Sequence, residues 1–120
     1  MAAKKNILVV DDDKDIRDLI HLFLTKHDCN VVLCDNGLDA IQKVIEVKFD
    51  CIFLDIRMSG LDGVETFKRI KDQGVDARIF IMTGYKTLAD ELMSDSVKEQ
   101  VHAIIYKPFS LKAILGYVNQ

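Results

Sequence analysis

The sequence predicts an α/β fold, a single parallel β-sheet with helices on both faces, assembled from five strand-then-helix units. Three observations carry this. Short apolar runs recur along the chain, each followed by a stretch whose apolar residues repeat at helical spacing. Several of these runs are apolar without alternation, as suits strands buried on both faces. Each of four runs also stops at a polar residue: Asp11, Asp55, Thr83 or Lys107.

Asn6 to Val10, NILVV, is the first strand and ends in three aspartates. Asp13 or its neighbour caps a helix from Lys14 to about Lys26, whose apolar face is Ile16, Leu19, Ile20, Phe23 and Leu24. Asn30 to Cys34 is the second strand. The turn Asp35-Asn36-Gly37 leads into a helix with the face Leu38, Ile41, Val44 and Ile45. Asp50 to Asp55 is the third strand, and the loop Met58 to Gly63 carries Gly60 and Gly63 before a helix presenting Val64, Phe67 and Ile70. Gly74 ends that helix. Arg78 to Thr83 is the fourth strand, and Leu88, Leu92 and Met93 predict a fourth helix running to about Ser96. Ala103 to Tyr106 is the fifth strand. After Lys107-Pro108-Phe109 a final helix from Ser110 packs through Leu111, Ile114, Leu115 and Val118.

With 120 residues the chain is one domain's worth, able to bury a single core. Its 49% hydrophobic and 29% charged residues set it apart from disordered and membrane chains. A net charge of -3, with a basic pair at Lys4 and Lys5 but no extended basic run, argues against direct nucleic-acid binding. No apolar run reaches membrane-spanning length and no signal-peptide pattern precedes the first strand, so the expected location is cytoplasmic. Cys29, Cys34 and Cys51 lack metal-ligand spacing and read as reduced thiols in or near the core.

In an open parallel sheet the carboxyl ends of the strands form the rim where ligands collect. Asp11, Asp12 and Asp13, then Asp55, Thr83 and Lys107, all stand at such ends. The run Cys51 to Leu54 stops abruptly at Asp55, which makes that carboxylate the first candidate for a reactive group. Asp11, Asp12 and Asp55 against one Lys107 leave a local charge of about -2, and like charges ~4 Å apart repel by roughly 4 kcal/mol at an effective dielectric of ~20. A hard divalent cation balances such a set, Mg²⁺ above all, with Mn²⁺ as a substitute. Asp55 can then attack phosphorus in line, while Lys107 neutralises one phosphoryl oxygen and the Thr83 hydroxyl bonds another.

Asp11-Asp12, LDIRMSGLDG around Asp55, Thr83-Gly84 and Lys107-Pro108-Phe109 together resemble the receiver domain of two-component response regulators. The resemblance runs from Ile7 to the last helix, so residues 1-120 read as a single receiver domain. It implies a doubly wound, flavodoxin-like sheet of five parallel strands in the order 2-1-3-4-5 with five helices. It also implies that Asp55 accepts a phosphoryl group from a phosphohistidine on a sensor histidine kinase or histidine phosphotransfer protein, and that a downstream protein target reads the result. In such a domain Asp12, Asp55 and the backbone carbonyl of Arg57 bind Mg²⁺ directly, Asp11 through water, while Lys107, Thr83 and the Gly84 amide hold phosphoryl oxygens. The chain then catalyses its own phosphorylation and slow dephosphorylation without turning over an external substrate. A monomer or weak phosphorylation-dependent dimer, acting as a stand-alone regulator or phosphorelay intermediate, is the expected form.

Each residue has a plainer explanation when taken singly: Asp13 as a helix cap, Thr83 as a strand end, Lys107 as a surface lysine. Four strand ends bearing one chemistry outweigh them. His21, His27 and His102 lie away from the strand ends and receive no catalytic role. Four positions depart from the family pattern or tune it. Ser59 stands where receivers commonly carry proline, and Ile104 stands where most have the aromatic switch residue that moves with Thr83. Tyr106 is expected in a different environment and not as a substitute, leaving output to the loop after Thr83 or the fourth helix. Arg57 and Tyr85 flank the path of attacking water in this family, and their bulk predicts a long-lived phosphoryl group. A phosphatase of the haloacid dehalogenase type shares the Asp, Thr and Lys chemistry, but Asp15 and Arg57 break its motifs. A docking module that works without phosphorylation is the other alternative.

Overall fold

Strand alternation divides the apolar residues of this chain between the two faces of one sheet. The computed structural model describes residues 4–58, 60, 62–84 and 93–120. Strands β1 (Asn6–Val10), β2 (Asn30–Cys34), β3 (Cys51–Asp55), β4 (Arg78–Thr83) and β5 (Ala103–Tyr106) pair in parallel in the order β2-β1-β3-β4-β5. The described helices are α1 (Lys14–Lys26), α2 (Gly37–Glu46), α3 (Gly63–Asp72), α4 (Asp95–Gln100) and α5 (Leu111–Val118).

Ile7 and Val9, Cys51 and Phe53, and Phe80 and Met82 point to one face, where Ile20 and Leu24 of α1 and Ile114 and Val118 of α5 cover them. Leu8 and Val10, Ile52 and Leu54, and Ile79 and Ile81 point to the other, beneath Ala40 and Val44 of α2, Phe67 and Ile70 of α3 and Val97 of α4. The central strands are therefore apolar without alternation, as the sequence predicts. All three cysteines are buried and free.

Local chemistry sets the helix starts. Asp13, Asn36, Asp62, Ser94 and Ser110 each accept a backbone N–H of the first turn of the helix that follows. Gly74, at φ +72°, stands just past the end of α3, where a left-handed residue closes a helix.

One sequence expectation needs correction. Leu19, Leu38 and Ile45 do not pack inward; they are 53%, 62% and 59% exposed. The buried stripe of α2 is Gly37, Ala40 and Val44. Its small residues let the helix lie close to the sheet, and counting only large apolar residues rotates the apparent stripe toward Leu38 and Ile45. Most of the expected fourth helix, running to about Ser96, falls outside the described residues; among those described, α4 begins at Asp95 behind the Ser94 cap and ends at Gln100. Its single buried residue, Val97, leaves no periodic signal. Leu88 and Leu92 of that expectation, like Ser59 and Tyr85, lie outside the described residues.

The Phe80 ring stacks on Phe53 at a centroid distance of 4.9 Å, and both are fully buried. Phe80→Ala is expected to lower stability by about 3–5 kcal/mol, the usual range for a buried Phe. Leu38→Ala, on the exposed flank of α2, is expected to change it by less than about 0.5 kcal/mol. Urea denaturation of the two variants and the parent checks the assignment of inward and outward positions.

Candidate functional site at the carboxyl ends of the strands

The strand order reverses between β1 and β3, and at such a switch point the strand ends open a crevice. The register pairs Val10 with Leu54, so the next residues, Asp11 and Asp55, stand side by side. Alternation turns both carboxylates toward the α1 and α5 side of the sheet. Lys107, the residue after β5, reaches them from across β4: its Nζ donates to Asp11 Oδ2 at 2.9 Å and to Asp55 Oδ2 at 3.3 Å. The remaining carboxylate oxygens accept main-chain hydrogen bonds, Asp11 Oδ1 from the Asp13 N–H at 2.9 Å and Asp55 Oδ1 from the Arg57 N–H at 3.1 Å.

Asp11 is fully buried and Asp55 nearly so, whereas Asp12 is exposed. One carboxylate oxygen from each of the three lies within 4.8 Å of the others. A recess of about 340 Å³ opens over Asp55 and is lined by Asp13, Ile16, Asp55, Arg57, Gly84 and Lys107.

Burial, and then the negative charge of Asp11, push the Asp55 carboxyl up from 3.8 to about 6; the Arg57 N–H and the Lys107 ammonium only partly oppose this. Burial alone pulls the Lys107 amine down, but its hydrogen bond to Asp11 and the charges of Asp55 and Asp11 outweigh that, so its pKa is raised. The ammonium therefore stays charged and still leaves the carboxylates short of positive charge. Clustered hard oxygen donors with one exposed member, in an environment that disfavours a buried carboxylate, match a hard divalent cation that keeps some of its water.

The loop after β3 is shaped by its glycines in two ways. Gly60, at φ +79°, takes the left-handed turn that the sequence predicts. Gly63 has a different role from the turn expected of it. A Cβ there would lie 2.3 Å from the Asp55 carbonyl oxygen and 2.4 Å from Ile56 Cα, so the missing side chain lets the start of α3 sit directly on the Asp55–Ile56 backbone. The Gly63 N–H donates to the Ile56 carbonyl at 3.0 Å and ties the two together.

The other sequence candidates are distributed as follows. Thr83 is buried at the end of β4, but alternation turns its side chain to the α2 and α3 side, opposite the carboxylates. Its carbonyl accepts the Lys107 N–H at 2.7 Å, so the two strand ends are tied by their main chains. Ile104 pairs with Ile81, is half-buried and packs into the cluster that includes Met93 and Val97. Tyr106 pairs with Thr83 on that same face and is 44% exposed, a setting distinct from that of Ile104. His27 and His102 bond Phe23 and Gln120 away from the rim. One residue that sequence reasoning passed over is Arg17, whose Nη1 donates to the Asp11 carbonyl at 2.8 Å. An arginine in the first turns of an amphipathic helix carries no sequence signal for that contact.

A family model described as response regulator receiver domain matches residues 7–119. The transcriptional regulatory protein FixJ of Bradyrhizobium diazoefficiens is 34% identical over 109 residues, covering 91% of this chain and 52% of FixJ, so the chain spans about half of that relative's length. Sporulation initiation phosphotransferase F of Bacillus subtilis is 32% identical over 116 residues, covering 97% of this chain and 92% of that protein. Among solved structures, the response regulator protein TrrA of Thermotoga maritima in complex with Mg(2+)-BeF superposes with a TM-score of 0.83 at 29% identity, covering 96% of each chain.

The raised Asp55 carboxyl fixes the sign of a pH effect. Between the unfolded value of 3.8 and the folded value of about 6 the folded state binds the extra proton, so stability falls as pH rises through that window. With each pKa unit equivalent to ~1.36 kcal/mol, the loss above the window is on the order of 1–3 kcal/mol. Asp55→Asn removes it. In chelator-containing buffer the variant is expected to melt several degrees above the parent at pH 7.5, with the difference vanishing near pH 4, as followed by circular dichroism.

Proposed function

The chain belongs to the response regulator receiver domain family, and on that premise we propose that Asp55 is its phosphoacceptor, taking a phosphoryl group from a phosphohistidine on a sensor histidine kinase or histidine phosphotransfer protein. Receiver domains are phosphoacceptors that bind Mg²⁺ at an acidic pocket. The observation that carries the assignment is that, among the described residues, Asp55 alone combines a nearly buried carboxylate, a bond to the shared Lys107 and a place in the wall of the open recess.

An Asp55 carboxylate oxygen attacks phosphorus in line. The new O–P bond forms as the P–N bond breaks, and its electron pair returns to the imidazole nitrogen of the donor. Lys107 holds Asp11 in place and offers its ammonium to a phosphoryl oxygen. The Gly84 N–H is a further donor to that group, and so is the Thr83 hydroxyl once it is drawn from its own face of the sheet toward Asp55. Asp11, Asp12, Asp55 and the Arg57 carbonyl are the residues that would hold Mg²⁺, which when bound supplies positive charge against the phosphoryl oxygens. Asp55 must be ionised to attack, and a cation beside it favours that form.

Beside the recess, Ile16, Leu19 and Ile20 of α1 and Pro108 and Phe109 border an apolar trough of about 360 Å³ that also touches Lys107. A donor protein has to bring its phosphohistidine to this opening, and the exposed Leu19 gives it an apolar foothold. Among the described residues no helix is long and apolar enough to cross a membrane. Without a ring or hydroxyl, Ile104 is not the moving aromatic of the switch, and Thr83 carries the change to its own face of the sheet. The downstream target is a protein that reads that face.

Incubation with Mg²⁺ and acetyl phosphate, followed by intact mass, tests the assignment. The parent is expected to gain one phosphoryl group, with no gain in Asp55→Asn or when Mg²⁺ is chelated. A parent that stays unmodified with acetyl phosphate and with a panel of phosphohistidine donors overturns it. Arg57 and Tyr85 slow the subsequent hydrolysis by bulk. The double variant Arg57→Ala/Tyr85→Ala is expected to lose its phosphoryl group several-fold faster than the parent, and equal decay of the two mass peaks contradicts that role.

A further inference from the structure

Every polar atom of Asp11 is engaged. Its N–H donates to the Cys34 carbonyl at 3.1 Å, its carbonyl accepts Arg17 Nη1 at 2.8 Å, and its carboxylate oxygens accept the Asp13 N–H and the Lys107 ammonium. Three of these partners are expected around a strand end, a turn and a site lysine. The fourth, Arg17, is a long side chain of α1 that reaches back past the Asp13 cap, half-buried, to a main-chain oxygen. The Asp11 carbonyl and the Asp12 N–H share one rigid peptide plane. A charge-assisted bond to that carbonyl therefore sets the direction in which the chain leaves Asp11, and with it the position of the exposed Asp12 carboxylate.

We infer that Arg17 is a positioning residue for divalent-cation binding: by fixing the Asp11–Asp12 peptide plane it holds Asp12 where its carboxylate shares a cation with Asp11 and Asp55. The inference rests on the metal-dependent phosphoacceptor reading above. Arg17 exerts two effects of opposite sign on such a cation. Its charge repels the ion, and its hydrogen bond preorganises a ligand.

Isothermal titration of Mg²⁺ into the metal-free full chain separates the two effects, using the parent, Arg17→Met, Arg17→Lys and Asp12→Asn, with urea stability measured without Mg²⁺ for each. Arg17→Met is expected to weaken Mg²⁺ binding about tenfold, the low end for losing a group that orients a metal ligand. Arg17→Lys, which keeps both the charge and a donor, is expected to stay within about threefold of the parent. Tighter binding by Arg17→Met would mean that charge repulsion is all Arg17 contributes. Lower urea stability with unchanged Mg²⁺ affinity would mean that its role is only structural. Either result overturns the inference while leaving the phosphoacceptor reading intact. A parent that binds no Mg²⁺, or binds it no better than Asp12→Asn, overturns the metal site itself and the inference with it.

Discussion

The Lys107 ammonium, shared between the buried carboxylates of Asp11 and Asp55, is the interaction on which the rest of the arrangement depends. Two carboxylates withdrawn from water side by side repel one another and lose hydration, and an unpaired buried charge is costly. Lys107 relieves part of this from 96 and 52 residues away in sequence, so the contact exists only when β1, β3 and β5 are all in register. A one-residue slip of β3 would turn Asp55 to the opposite face and place Leu54 or Ile56 beside Asp11. The two apolar faces forbid that slip, because every inward residue of the strand would change sides with it. Core packing thus enforces the geometry of a site that works against stability.

That opposition gives the site its chemical character. Burial first, and then the charge of Asp11, raise the Asp55 carboxyl to about 6, and the Lys107 ammonium only partly opposes them. A folded protein in this condition gains from any cation that binds beside the carboxylates, since ligand binding to the folded state alone stabilises it. Burial and the neighbouring Asp11 charge, which raise the Asp55 carboxyl, also make the cluster a setting that a divalent cation would relieve. The Lys107 contact to Asp55 is the longer of its two, at 3.3 Å against 2.9 Å to Asp11, so the ammonium has one firm anchor and one contact open to exchange.

The sequence reveals these features unevenly, for physical reasons. A strand buried on both faces must be apolar throughout, so NILVV, CIFL and RIFIM announce themselves, and so does the carboxylate that interrupts the second of them. Helix caps are equally local, and Asp13 and Ser110 are readable from a few residues. Close approach is not. Ala40 and Gly37 face the sheet because they are small, Gly63 is needed because backbone passes within reach of an absent Cβ, and Arg17 bonds a carbonyl that any residue could supply. None of these leaves a periodic or compositional trace. They depend on what lies opposite, which only the assembled sheet provides.

Strand alternation also sets the carboxylate cluster and the end of β4 on opposite faces of the sheet. Asp11, Asp55 and Lys107 lie toward α1 and α5, whereas Thr83, Ile104 and Tyr106 lie toward the side of α2, α3 and α4. A change at Asp55 must cross the sheet to reach that second group, and the crossing point is where β4 and β5 end together. There Thr83 pairs with Tyr106, and the Lys107 N–H is bonded to the Thr83 carbonyl. Under the proposed function, a phosphoryl group draws the Thr83 hydroxyl toward Asp55, while the branched side chain of the half-buried Ile104 is already packed in the core. An aliphatic residue there has no alternative rotamer that brings a polar group to the surface. On that reading the response is left to the segments that follow β4, because the exposed Tyr106 sits in a setting distinct from that of Ile104.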